Sequence, residues 1–267
     1  MQHLTKTQYF FRDFTTTIQN YRDVLPFIRK HQLWKGLGHY GWAINLMIIV
    51  GALLGLKLFD FFSDWYSQLS AEGLSIAAMG SMMSNLASEG YELFVMGGFK
   101  YVILIVLEIV IFHFARITHE KLSGEKADAS LRSFVHAQVR MIKVTFYCFV
   151  METVFSAIAK GLLGAFDMGF FEYFLILLIQ CYFMGFAVID NYNEIYKLSI
   201  KESARYTRIY SGVALGIGFV FYVLMLLPVL GTVLAPLLGA VVATITMYQL
   251  EEKDQKILAA VERSRAE

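Results

Sequence analysis

Six long apolar runs dominate the chain, at roughly 39 to 59, 99 to 115, 144 to 166, 170 to 189, 212 to 227 and 229 to 250. The charges collect between them. Only 17 % of the residues are charged and 57 % are hydrophobic, whereas a soluble domain usually carries about 25 % charge. Such a chain cannot cover itself with a polar coat, so it reads as an all-α integral membrane protein, one membrane domain over 1–267. With 3 Pro, 2 Cys and 15 % aromatics it is not a disordered chain, a collagen or a disulfide scaffold. No apolar run precedes about residue 40, which is not the pattern of a cleavable signal peptide.

Crossing a ~30 Å hydrocarbon layer takes about 20 helical residues. The run 212–227 has room for only about 24 Å of helix, so the last two segments are expected to penetrate without crossing fully. The turn between them, LLPVLGTVLAP, holds Pro228, Gly231 and Pro236. A turn at membrane depth needs protein or a wet cavity around its backbone. A re-entrant turn is then a candidate lining for a conduction path; the alternative is two tilted spanning helices.

Of the 23 basic residues, 20 fall in four stretches, 1–38, 116–143, 191–211 and the tail from 251. The segment 60–98 has no Lys or Arg but carries Asp60, Asp64, Glu72, Glu89 and Glu92. By the positive-inside rule the basic stretches are cytoplasmic and 60–98 is external. The chain then crosses near 40 to 59, returns near 99 to 117, and makes two apolar hairpins, 144–190 and 212–250, before a cytoplasmic tail, 251–267. The Ser, Gly, Met and Ala content of 60–98 suits an interfacial helix or a mobile cap.

Several ionisable groups interrupt the runs. Glu108 stands midway along YVILIVLEIVIFHFARI, and Glu152 lies in the first hairpin. Ionisable groups at the bilayer centre cost at least ~2.5 kcal/mol and should face protein or water. Glu108 reads either as a pore-lining or coupling carboxylate, or as a structural one holding helices together. Lys160 and Asp167, near the first hairpin's turn, belong at the surface. His113 reads as a packing residue, with no second His at helical spacing for a metal. Gly51 with Gly55, and Gly212 with Gly216, allow close helix approach, within the chain or between copies. Cys148 and Cys181 read as reduced, packed thiols.

Enzyme signatures are nearly absent. GLGHYG at 36 to 41 spells a dinucleotide fingerprint but does not follow a strand, and Walker A, H-E-x-x-H, C-x-x-C and nucleophile-elbow sequences are missing. No enzyme activity, cofactor or metal is expected, and the basic stretches suit anionic lipid headgroups better than nucleic acid.

The run FAVIDNYNEIYKLSIKESARYTRIYSGVALGIGFVFYVLMLLPVLGTVLAPLLGAVVATITMY resembles the signature region of the CysZ sulfate permease and etoposide-induced protein family, at Asp190, Gly216, Gly218, Pro228, Pro236, Ala243 and Thr244. The resemblance implies a bacterial inner-membrane homo-oligomer with two long spanning helices and two partly inserted hairpins, passing sulfate inward. In that family a Gly-Leu-Arg sequence just before the first span is associated with the anion. Here the corresponding stretch is Gln32-Leu33-Trp34, with Arg29, Lys30 and Lys35 nearby. A helix N-terminus with adjacent cations is an anion site; the alternative partners of these cations are lipid phosphates. The expected function is facilitated or proton-linked uptake of sulfate or a related anion, with a non-transporting membrane scaffold or envelope-organising protein as the runner-up.

Overall fold

The computed structural model describes residues 5–35, 99–125, 131–166, 168–227 and 230–266. The run 39–59, the segment 60–98, the GLGHYG sequence, Gly51, Gly55, Asp167 and Pro228 lie outside the described residues. The described residues form seven helices: α1 Lys6–His31, α2 Phe99–Ser123, α3 Leu131–Gly164, α4 Gly169–Ile195, α5 Ile200–Ile209, α6 Ser211–Met225 and α7 Leu230–Ala266. There is no strand among them.

Local chemistry sets several of these boundaries. Thr5 and Gln8 form a capping box at the start of α1: the Gln8 amide donates to Thr5 Oγ1 at 3.3 Å, and the Thr5 amide donates to Gln8 Oε1 at 2.7 Å. Ser199 and Glu202 do the same for α5. Helix α1 ends at Gln32, in the left-handed region with φ 51°, after Arg29, Lys30 and His31, cations that suit the negative end of a helix dipole.

Helix α6 is held among longer helices. It packs against α4, α1 and α7, while α4 also packs on α3, and α2 packs on α7 and α3. Its two small-residue faces explain the arrangement. A Cβ at Gly212 would meet the Phe10 carbonyl oxygen of α1 at 2.2 Å, and one at Gly216 would meet Thr17 Cβ at 2.9 Å. On another face, a Cβ at Gly218 would lie 1.8 Å from the Cys181 carbonyl oxygen. The Gly212 and Gly216 pair therefore serves packing within the chain. The main core gathers Leu104, Leu107, Met184, Phe186, Ile217 and Phe221, and a second cluster joins Val24, Leu33, Val110, Phe114 and Val241.

Four helices are long and apolar enough to cross a membrane by length and composition: Lys100–Ser123, Val135–Gly164, Phe170–Ile195 and Leu230–Gln255. The protein is thus compatible with a membrane protein. The 15 residues of α6 reach about 22 Å; α6 passes the same test only together with α5, which meets it at 92°. In length, the expectation of two short arms is met by α6 and not by α7, whose residues Leu230–Gln255 are long and apolar enough to cross. Gly231 and Pro236 also lie within α7 and not in the turn before it. A Cβ at Gly231 would meet the Leu224 carbonyl oxygen at 1.8 Å, so this glycine lets the two arms close on each other.

Helix α3 is the least covered, with 28 % of its spanning window buried. Phe146, Phe149, Val154, Ile158 and Leu162 are exposed on it. Lys160 is exposed as expected.

Candidate functional site

The bundle interior carries polar groups that apolar packing alone does not require. Near the start of α2, Lys100 Nζ lies 2.7 Å from Glu152 Oε1 of α3, and the Tyr101 hydroxyl donates to Glu152 Oε2 at 2.6 Å. Lys100 is fully buried and Glu152 is 8 % exposed. A charge this deep persists only when paired and hydrogen-bonded, and each of these groups supplies what the other needs. Cys148 and Cys181 are buried free thiols.

Further along the bundle, Arg140 of α3 holds Asp190 of α4 in a two-bond fork, Nε to Oδ2 and Nη2 to Oδ1, both 2.8 Å. Its remaining nitrogen Nη1 donates to the Leu198 carbonyl. Ser203 of α5 donates to Asp190 Oδ1, and the Asn193 side chain donates to Ser203 Oγ at 2.8 Å. Asp190, singled out by the family resemblance, thus ties three helices together. Glu194 lies 3.8 Å from Arg140 and 3.3 Å from His136.

Glu108 of α2 is different. It is 1 % exposed, and neither carboxylate oxygen has a hydrogen-bond partner among the described residues. The acids Asp190 and Glu194 are within electrostatic reach of it. Glu108 and Glu152 are not brought together; Glu152 has found a cation and Glu108 has not. A carboxyl that the packing leaves unsatisfied is a place to take up a proton or a cation.

Toward the other end of α7, tyrosines and carboxylates link five helices. Tyr192 donates to Glu251 Oε2 at 2.8 Å, Tyr206 donates to Glu251 Oε1, and His119 Nε2 lies 3.0 Å from the Tyr196 hydroxyl. Arg12 of α1 donates to Asp254 and Asp13, each at 2.8 Å, and Tyr210 donates to Asp254 at 3.1 Å. Burial pushes the Asp13 carboxyl above its ordinary range even with Arg12 beside it.

The candidate anion residues stand at the C-terminal end of α1. Arg29, Lys30, Gln32, Leu33, Trp34 and Lys35 close α1, and the amides of Gln32, Leu33 and Lys35 donate to the carbonyls of Arg29, Ile28 and Gln32. Those amides are therefore not offered to an anion. The Leu33 and Lys35 carbonyls face His113 Nε2 at 3.1 and 3.2 Å, so this nitrogen carries the proton and His113 docks the chain after α1 onto α2. Leu33 is fully buried and Trp34 is 48 % exposed. Residues 29–35 thus form the packed C-terminal end of α1, and the start of the run 39–59, where the anion site is expected, lies outside the described residues.

The other signature residues are packing elements. Ala243 and Thr244 are buried in α7, with Thr244 Oγ1 donating back to the Ala240 carbonyl at 2.9 Å. Lys100 and Arg140, two of the buried cations, escape sequence reading as site residues, since one sits at the edge of an apolar run and the other among topology-setting basic residues. No group of three or more His, Cys, Asp and Glu side chains among the described residues could hold a metal ion.

No protein-family model, curated protein or solved structure matches this chain.

Proposed function

We propose that the chain is a multi-pass membrane transport protein for a small inorganic anion, sulfate being the first candidate, working by facilitated or proton-linked uptake. The observation that carries this reading is Glu108: a carboxyl buried in the middle of an apolar helix with no hydrogen-bond partner among the described residues. An unsatisfied buried polar group costs about 1–3 kcal/mol, a cost that a purely structural bundle avoids by placing an apolar residue there. Proton-linked uptake gives the group a use, as a carrier for the proton that accompanies the anion.

The buried ion pairs extend the idea. Lys100 and Arg140 are each neutralised by a carboxylate. A buried cation whose carboxylate partner moved aside would be a place for an anion to pair within the bundle. In this reading the run 39–59 and α2 are the two long spans, α3 with α4 and α6 with α7 are the inserted hairpins, and the short α6 makes the second hairpin re-entrant. The basic stretches, with both termini, lie on the cytoplasmic side of a bacterial inner membrane. The resemblance to the CysZ family supports sulfate and a homo-oligomer.

A second reading, a non-transporting scaffold of the same fold, is favoured by the closed ion pairs and by the backbone contact of α6 with α4. Sulfate uptake into proteoliposomes, with and without an imposed pH gradient, separates the two. Saturable uptake that the Glu108→Gln variant loses, or whose pH dependence it abolishes, supports transport. Folded, inserted protein without uptake of sulfate overturns it and leaves the scaffold.

A further inference from the structure

Where α5 turns through 92° into α6, the chain passes from the polar sequence IKESARYTRI to the apolar SGVALGIGFVFYVLM. Arg208 stands just before this boundary. With Ala204 of α5 it lines a groove of about 480 Å³ whose other walls come from α3, α4 and α6, among them Tyr147, Phe155, Leu178, Phe183 and Leu215. Tyr182 and Ser211 add hydroxyls to the same lining. Arg208 is exposed, and no carboxylate among the described residues pairs with it or lines the groove. The groove opens beside the exposed apolar residues Phe155, Phe174, Leu175 and Leu178.

We propose that this groove is a binding site for an anionic phospholipid, with the phosphate on Arg208 and an acyl chain along the apolar walls. The inference rests on the membrane reading but not on transport. Charge complementarity selects the occupant. A guanidinium takes phosphate oxygens through a two-bond fork, and it stands where the chain changes from polar to apolar, the level at which a headgroup meets its tails. A free inorganic anion would find the guanidinium but leave the apolar walls unfilled. A second copy of the chain would bury a cation with no acid opposite it on the described part of this face.

The full chain is first floated with vesicles; failure to float overturns both the membrane reading and the groove. Delipidated protein in detergent is then titrated with phosphatidylglycerol and with phosphatidylcholine of the same acyl chains, and bound lipid is counted by native mass spectrometry. One saturable phosphatidylglycerol site is expected, weakened on the order of tenfold by Arg208→Gln and less by Arg208→Lys. Leu178→Trp, at an exposed position that narrows the groove, should weaken both lipids. Unchanged binding in Arg208→Gln overturns the proposal. Displacement of the lipid by millimolar inorganic phosphate overturns it in favour of a small-anion site. Cross-linking of a cysteine at position 178 to its own copy in a second chain, with lipid binding unchanged, overturns it in favour of a contact between copies.

Discussion

Gly218 of α6 and Cys181 of α4 are in backbone contact: a Cβ at Gly218 would fall 1.8 Å from the Cys181 carbonyl oxygen. Neither group is the end of a flexible side chain, so nothing nearby can give way. Gly185 repeats the contact one turn along α4, against the Ala214 carbonyl oxygen at 1.9 Å. Gly218→Ala and Gly185→Ala should each force the helices apart and lower stability by about 3 kcal/mol or more. Gly161, exposed on α3 with nothing within 4 Å of its would-be Cβ, is the control. Gly161→Ala should be neutral or stabilise by up to about 1 kcal/mol through helix propensity. Thermal unfolding of the three variants in one detergent tests the contrast.

The Arg140 and Asp190 fork predicts a non-additive pair. Removing one partner leaves the other charged and buried, so Arg140→Met or Asp190→Asn should cost about 3–5 kcal/mol. The double variant Arg140→Met with Asp190→Leu removes both charges and should recover most of the loss. Equal or greater destabilisation in the double variant would show that the bonds to Leu198 and Ser203, not the ion pair, hold this region.

The membrane-length helices were legible in the sequence because apolar runs report burial or lipid contact directly. Helices α1 and α5 were not read, although TKTQ at 5 to 8 and SIKE at 199 to 202 spell the capping boxes that start them. Both are too polar to register among apolar runs. Glu108 and Glu152 stood out as acids in apolar sequence, but their fates diverge for a tertiary reason. Whether a carboxylate meets Lys100 depends on how α2 crosses α3, and the partners are 52 positions apart. Gly212 and Gly216 were readable as a close-packing pair, yet only the fold shows that their partner is α1 and that Gly218 faces α4. For the stretch 29–35 the sequence showed the cations but not that they close α1, because that helix is too polar to register among apolar runs.

Glu202 supplies a pH-dependent feature outside the spanning helices. Its carboxyl sits below its ordinary 4.5, chiefly because the Ser199 hydroxyl and then the Ser199 amide donate to it. A folded pKa below the unfolded one contributes stability that is complete above the unfolded value and is lost as pH falls through the folded one. Protection of the first-turn amides of α5 against hydrogen exchange, corrected for intrinsic rates, should therefore fall as pH drops below about 4.5. Glu202→Gln keeps a capping side chain without a titrating group and should flatten the profile. A variant profile identical to wild type would assign the pH effect elsewhere.

Glu108 gives a prediction in which stability and transport move in opposite directions. With no hydrogen-bond partner among the described residues and 1 % exposure, its carboxyl adds nothing to the bundle's cohesion that the packing reveals. Its neighbours Leu104, Leu107 and Ile111 are core residues. Glu108→Leu should then raise stability by about 1–3 kcal/mol, the cost of the polar group removed, and should abolish proton-linked uptake. Glu108→Gln, which keeps shape and polarity but cannot carry a proton, should leave stability within about 1 kcal/mol and still abolish the pH dependence. A scaffold would show the gain in stability with no activity to lose. A fall in stability in Glu108→Leu would mean that the carboxyl is satisfied by a group outside the described residues, and the functional reading of Glu108 would give way to a structural one.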